Sequence, residues 1–387
     1  MRAAGQCPPQ WAALDADPPL FASARWLAAM GDRIEGAHWW LVHRPGGDGP
    51  EVGFFGSVSE DSSISEAKNP WRLLFEPGTA RSLTRQALER QAAARAAGPA
   101  PEQWFPSLVL TYPGLECFPL GPGRYSAAAL DGAIAEVVAE ARAAALRSVA
   151  FLYVQPEETE LAAALRRAGF LEVPTALRAN LRLPGGTFED YLASLGRDAR
   201  KGVARIRRRL ATRGVTVRRQ LLRDADDRLI EELVGLRLKH RAKYGRRPDA
   251  AGERSQLHTL RASFGEHGRL QLAVADGRTI GFCLFLEAGG IRHAWMTGTD
   301  YADPRSPGTY FELGFHAPIE EAYLTGCREL SFSYGAEATK LERGCRLDEV
   351  TSFVLPLDQA AFGPAREAAA ALAGALVRPD AAGPDTH

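Results

Sequence analysis

The chain has 387 residues, 45% hydrophobic and 24% charged, with 47 basic side chains balanced by 47 acidic ones. That length exceeds one ordinary core and predicts two domains, and a formal charge of zero excludes a whole-molecule field for polyanions, so any nucleic-acid binding must come from a local patch. Five scattered cysteines without a CxxC pair argue against a disulfide framework and a structural zinc, and they favour a reducing compartment. No apolar run approaches the ~20 residues of a membrane span, and the N-terminus lacks the apolar core of a secretory signal, so the reading is a cytoplasmic protein with no membrane partner.

The first half reads as mixed α/β. Runs at 38–42, 52–55 and 71–75 have β-type composition between Gly, Pro and Asp, and the polar stretch 57–69 reads as a long loop. A helix is expected over 80–97 with Thr79 as a possible N-cap. A strand at 108–112, a helix over 126–147 and a strand at 149–154 follow. Next come a helix over 157–168 closed by Gly169, where glycine relieves left-handed strain, and a strand at 176–183. In the second half, strands at 270–275 and 279–286 flank Asp276-Gly277, the strongest short hairpin signal. Gly289-Gly290 turns into a strand over 291–298. A helix over 309–324, a strand at 329–333 and a last strand at 351–355 complete the order. The order of the first half thus recurs, which predicts an α/β (α+β) chain of two domains, each a mixed, mostly antiparallel sheet flanked by helices. The expected domains are 1–186 and 187–377, with a disordered tail at 378–387.

Between the halves, Thr187 with Asp190 marks a helix N-terminus, and Leu192, Leu195, Ala199, Val203, Ile206 and Leu210 recur at three- or four-residue steps as a buried stripe. The other faces carry Arg197, Arg200, Lys201, Arg205, Arg207, Arg208, Arg209 and Arg213. Arg218, Arg219 and Arg223 follow, against one acid, Asp198. Two readings stand: a solvated face whose cations pair with acids elsewhere, or a phosphate-binding strip whose affinity falls with salt, for which arginine's forked donors suit. Lys239, His240, Arg241, Lys243, Arg246 and Arg247 gather around Tyr244 at an expected helix end.

Near the end of the chain, Leu330 and Phe332 alternate with Ser331 and Ser333. Gly335 then breaks the run. Tyr334, Glu337, Lys340 and Arg343 fall within about three helical turns, which can place hydroxyl, acid and cation around one carbonyl. Gly335, Lys340, Arg343 and Gly344 together resemble the signature near the end of the FemABX-like branch of the GNAT superfamily. Tyr310-Phe311-Glu312-Leu313 resembles the family's His-Phe-Glu-Leu helix start, and residues 164–170 (Ala-Leu-Arg-Arg-Ala-Gly-Phe) look like the second half of a GNAT domain. Leu195, Arg200, Lys201 and, one place late, Arg205 are similar to the Leu-Ser-x-x-x-Arg-Lys-x-x-Arg helix of acetyltransferase-like relatives. The resemblance implies tandem GNAT-like domains and transfer of an aminoacyl group from aminoacyl-tRNA, as co-substrate rather than cofactor, to an amine.

GNAT enzymes that use acyl-CoA hold its diphosphate on an Arg/Gln-x-x-Gly-x-Gly/Ala turn ahead of a helix. Here Arg305 and Gly308 keep the first half, Tyr310 replaces the second glycine, and Asp300 and Asp303 would repel the diphosphate. Gly121-Pro122-Gly123-Arg124 is no better, because Pro122 offers no N–H. An eroded CoA turn beside an arginine strip fits an aminoacyl-tRNA donor. Lys340 is expected to stabilise the oxyanion and return a proton to the ribose oxygen. Glu337 or Glu312 would take or orient the amine's proton, and Tyr334 would bond the acyl carbonyl. Arg343 would bind a phosphate or carboxylate, and His293, Trp295 and Thr297, on one strand face by the period of two, would line the acceptor pocket. His293 and His316 are too far apart in sequence to suggest a metal, and no Gly-x-Ser-x-Gly, P-loop or Rossmann fingerprint is present. The acceptor would be a peptidoglycan precursor or a small secondary metabolite. An acyl-CoA N-acyltransferase and a non-catalytic RNA-binding protein are the alternatives.

Overall fold

The computed structural model describes residues 2–4, 7–15, 17–44, 51–76 and 83–378. The chain forms two compact units: residues up to Leu177 together with Asp348–Arg378, and Arg178–Leu347. Each is a mixed, mostly antiparallel sheet flanked by helices. The strands, in chain order, are β1 (Arg2–Ala4), β2 (Ala37–His43), β3 (Val52–Ser59), β4 (Ser107–Leu110), β5 (Ser148–Val154) and β6 (Leu171–Arg182). They continue as β7 (Thr216–Leu221), β8 (Gly268–Ala275), β9 (Arg278–Ala288), β10 (Ile291–Thr299), β11 (Glu329–Ser331) and β12 (Arg346–Pro356).

In the first unit the order is β1-β2-β3-β4-β5-β12, with β4 and β5 parallel. The helix Ala127–Ala143 starts where Ser126 accepts the Ala129 N–H, and it lays Leu130, Ile134 and Val137 onto Phe54, Leu108 and Phe151. Gly169, at φ +83°, ends the helix Thr159–Arg167 as expected. Three sequence expectations change here. Residues 71–75 form the helix Pro70–Phe75 rather than a strand, because Pro70 suits a first turn and the Asn69 side chain accepts the Arg72 N–H. β3 runs on to Ser59, so the expected loop begins only after it. The expected helix over 80–97 is seen as Arg85–Ala97, capped by Thr84; the proposed cap Thr79 lies outside the described residues, as does the tail beyond Arg378.

The division at 186/187 also gives way. The strand read as the close of the second domain belongs to β12, which pairs antiparallel with β5, Val354 opposite Ala150 and Leu355 opposite Val149. Its apolar Phe353 and Leu355 complete the core of the first unit.

In the second unit the order is β6-β11-β10-β9-β8-β7, β6 contributing Asn180–Arg182. Asp276 and Gly277 take φ of +50° and +73° in the two-residue turn between β8 and β9, the mirror-image turn that matches strand twist. The amphipathic stretch is two helices. Phe188–Ser194 begins with a capping box of Thr187 and Asp190, and Arg197–Thr212 follows the break at Gly196.

A buried cation anchors this sheet. Arg292 is fully buried; its Nε donates to Glu287, Nη1 to Glu321 (2.9 Å) and the Pro318 carbonyl (2.7 Å), and Nη2 to Glu287 and Thr325. Removing one member of such a network leaves charge stranded in a low dielectric. Arg292→Met is therefore expected to lower stability by about 3–5 kcal/mol in denaturant titration; a loss within about 0.5 kcal/mol would show that the carboxylates do not depend on it.

Candidate active site

β10 and β11 run parallel over only three residue pairs, Ile291–His293 against Glu329–Ser331. Beyond them, the register of β10 with β9 shifts between Ala294 and Met296, leaving Trp295 as a bulged residue. β11 ends, and Ser333, Gly335 and Ala336 take φ of +58°, +77° and +52°. For serine and alanine that is a strained backbone, held only where surroundings enforce it. A cavity of about 560 Å³ opens in the gap. Residues 294–297 form one wall and Phe332 with residues 334–336 the other. Tyr310, Gly314 and Phe315 come from the helical segment 309–316, and Arg237, Tyr244 and Arg246 from the end of the helix Asp227–Lys243 and the loop after it. Among the described residues its lining contains three cations (Arg237, Arg246, Lys340) and no carboxylate.

Lys340 explains how the gap is held. It is 4% exposed, and its Nζ donates to the carbonyls of Phe332 (2.7 Å), Tyr334 (2.9 Å) and Ser333 (3.2 Å). An ammonium has three donors, and all three serve main-chain acceptors at the end of β11. Lys340 therefore lies in the cavity wall, with its hydrogen bonds committed to the loop that carries Tyr334. Burial pushes its pKa down to about 8, against the pull of Glu337 and Cys345.

The residues singled out from sequence divide. Lys340, Tyr334, Trp295 and Thr297 line the cavity together. Thr297 donates to the Phe282 carbonyl and accepts from the Cys283 thiol. His293 does not line it: the bulge at Trp295 breaks the alternation that would have put the three on one face, and burial, with Arg178 nearby, holds the imidazole at about 4. Glu337, at the start of the short helix Glu337–Leu341, accepts the Gly335 N–H. Glu312 is buried in a π-helical turn, Glu312–His316, where it meets Arg207 Nε (3.1 Å) and His316 Nδ1 (3.1 Å). Arg343 lays its guanidinium over Phe311 (4.4 Å) and Phe315 (5.0 Å). Neither glutamate nor Arg343 lines the cavity. Arg237 was missed by sequence reading. The legible signal is its place on the stripe Ile230, Leu233, Val234, Arg237, a cation where the helical period calls for an apolar residue. Its Nη1 donates to the Thr297 carbonyl (3.1 Å).

The turn compared above with a CoA turn is closed on itself. The N–H groups of Ala302, Asp303, Arg305, Ser306 and Thr309 all donate to acceptors within residues 300–306. Arg305 is tied to Asp303 and Asp276, and the bonds of Arg305, with one from Arg278, hold the Asp303 carboxyl far below its usual range. The basic helix lies across this turn: Arg213 donates to the Pro307 carbonyl (3.3 Å), and a Cβ added at Gly308 would sit 3.6 Å from Ile206. On that helix Arg207 is paired with Glu312 and Glu320. Arg197, Arg200, Lys201, Arg205, Arg208 and Arg209 are exposed and pair with no carboxylate among the described residues.

In sequence, residues 197–341 match the acetyltransferase (GNAT) domain family, and no protein of curated function matches the chain. In fold the chain is similar to FemX, at 12% identity and a TM-score of 0.55, over 88% of this chain and 92% of FemX. It is also similar to L-PGS from Bacillus licheniformis, at 10% identity and a TM-score of 0.54, over 94% of this chain and 95% of L-PGS.

The depressed Lys340 pKa has a consequence for stability. Between about pH 8 and 10.5 the unfolded chain keeps a proton that the folded chain has released, so stability gains from this group as pH rises through that window. The wild type should gain on Lys340→Met by up to about 1.4 kcal/mol per pH unit there, read by denaturant titration at pH 8 and pH 10. A constant difference would mean the ammonium is not desolvated.

Proposed function

We propose that this chain, a FemABX-like member of the GNAT superfamily with its acyltransferase domain in the second unit, forms an amide by moving an aminoacyl group from aminoacyl-tRNA to an amine. One observation supports the reading: a single helix packs against the turn that would seat a CoA diphosphate, at Pro307 and Gly308, and presents outward six cations with no carboxylate partner among the described residues. A donor with a polyanionic body satisfies both halves of that arrangement; a CoA thioester satisfies neither.

The step breaks the ester C–O bond to the terminal ribose and forms the amide C–N bond, and the amine's proton ends on the ribose oxygen. No carboxylate among the described residues lines the cavity to take up a proton, so the amine enters as the free base. Trp295, Tyr334, Phe332 and Phe315 exclude water around the carbonyl. Lys340 and Arg237 place positive charge in the wall, where a low dielectric magnifies its pull on the developing oxyanion. Lys340 also fixes the Tyr334 loop, so its part is positioning as much as charge. A cationic lining suits an acceptor that bears a carboxylate or phosphate besides its amine, whether a peptidoglycan precursor or a small metabolite.

Labelled amino acid should pass to amine acceptors in the absence of CoA, and ribonuclease should abolish the transfer. Turnover that needs acyl-CoA and survives ribonuclease would overturn the reading. The strip can be tested separately. Arg205, Arg208 and Arg209 changed together to Ala should make the slope of log affinity against log salt for tRNA shallower by about 2–3. Arg207→Ala should instead lower stability, since it strands Glu312. An unchanged slope in the triple variant would remove the strip from the RNA interface.

A further inference from the structure

Six large apolar side chains are exposed among the described residues, and three of them, Tyr244 (62%), Tyr301 (41%) and Tyr310 (36%), gather at one place. Tyr244 and Tyr310 line the cavity. His240 joins the group, its ring 5.0 Å from Tyr244 and 6.0 Å from Tyr301, with Nδ1 2.8 Å from the Tyr301 hydroxyl. Burial, with Arg237 and Lys243 close by, holds His240 at about 4, so this ring is neutral near pH 7. Lys243 places its ammonium 4.0 Å over the Tyr301 ring, and Arg246 and Arg247 are exposed beside it without a carboxylate partner among the described residues.

Clustered exposed rings mark a binding surface more often than chance exposure. Rings interleaved with cations match one ligand chemistry in particular: base faces stack on the rings while phosphates meet the charges. We infer that Tyr244 and Tyr301, flanked by Lys243, Arg246 and Arg247 at the cavity mouth, seat the unpaired 3′ nucleotides of the RNA that delivers the acyl group. This rests on the donor proposed above and adds the place where its single-stranded end lies. The position fits the chemistry, because Tyr244 and Arg246 line the cavity, and an acyl group that enters beside them brings the nucleotides before it onto this rim.

The test compares two RNA hairpins, one blunt and one with a short unpaired 3′ extension, titrated against the full chain. The extension should tighten binding. Tyr244→Ala and Tyr301→Ala should each remove about 5- to 100-fold of that gain, whereas Tyr244→Phe and Tyr301→Phe should keep it. Neutralising Arg205, Arg208 and Arg209 should weaken both hairpins alike. Equal affinity for the two hairpins, or a gain that survives the double alanine variant, would overturn the seat; ribonuclease-sensitive transfer in the same preparation would leave the donor reading standing. If the alanine variants instead lose affinity for CoA while their RNA binding is unchanged, the rim holds an adenine of another donor and the inference falls.

Discussion

Two parallel strands that stay together for three residue pairs and then separate create the problem that the rest of the second unit solves. Past β11 the Ser333 carbonyl still accepts the Ala179 N–H of β6 (3.0 Å), but the parallel pairing with β10 is gone, and a buried carbonyl left unsatisfied is costly. Lys340 supplies three donors to three successive carbonyls. The gap can then stay open as a cavity instead of zipping shut as sheet. The ammonium bonds Ser333 directly and the Lys340 N–H donates to the Ala336 carbonyl, so both left-handed residues, a conformation neither adopts readily, are tied to this lysine. What the lysine gives up is hydration, and its lowered pKa records that loss.

The basic helix works by a similar division of labour. Val203, Ile206 and Leu210 anchor it to the unit, and Leu210 belongs to the core that contains Phe285 and Phe332. Arg207 turns inward to two glutamates, one of them in the π-helical turn. The remaining cations face water. Had the whole strip been paired with the protein's own acids, no external polyanion would be needed to explain it. Among the described residues of the basic run, Arg207, Arg219 and Arg223 are held in that way, Arg213 bonds a main-chain carbonyl, and six cations of the helix have no carboxylate partner.

Much of this was legible in the residues. Asp276-Gly277 fixed a hairpin because few residues accept two positive φ angles in succession, and Thr187 with Asp190 fixed a helix start through reciprocal hydrogen bonds. Lys340 stood out by its spacing from Gly335, although its work on the carbonyls of residues 332–334 needed coordinates. Three features were hidden for physical reasons. The bulge at Trp295 leaves no mark on composition, yet it turns His293 away from the cavity. Pro70 and Asn69 overrode the β-type character of residues 71–75 through a local cap. The return of β12 to the first unit depends on pairing with β5, far earlier in the chain, which no local pattern encodes.

The central claim is that the turn has closed on itself and that the basic helix packed beside it is the surface that binds an RNA donor. Calorimetric titration of the same protein with acetyl-CoA and with aminoacylated tRNA measures it most directly. The account predicts salt-sensitive binding of the tRNA and no heat from acetyl-CoA. Tight acetyl-CoA binding that is lost when Gly308 is replaced by a bulky residue, with no measurable tRNA binding, would contradict it.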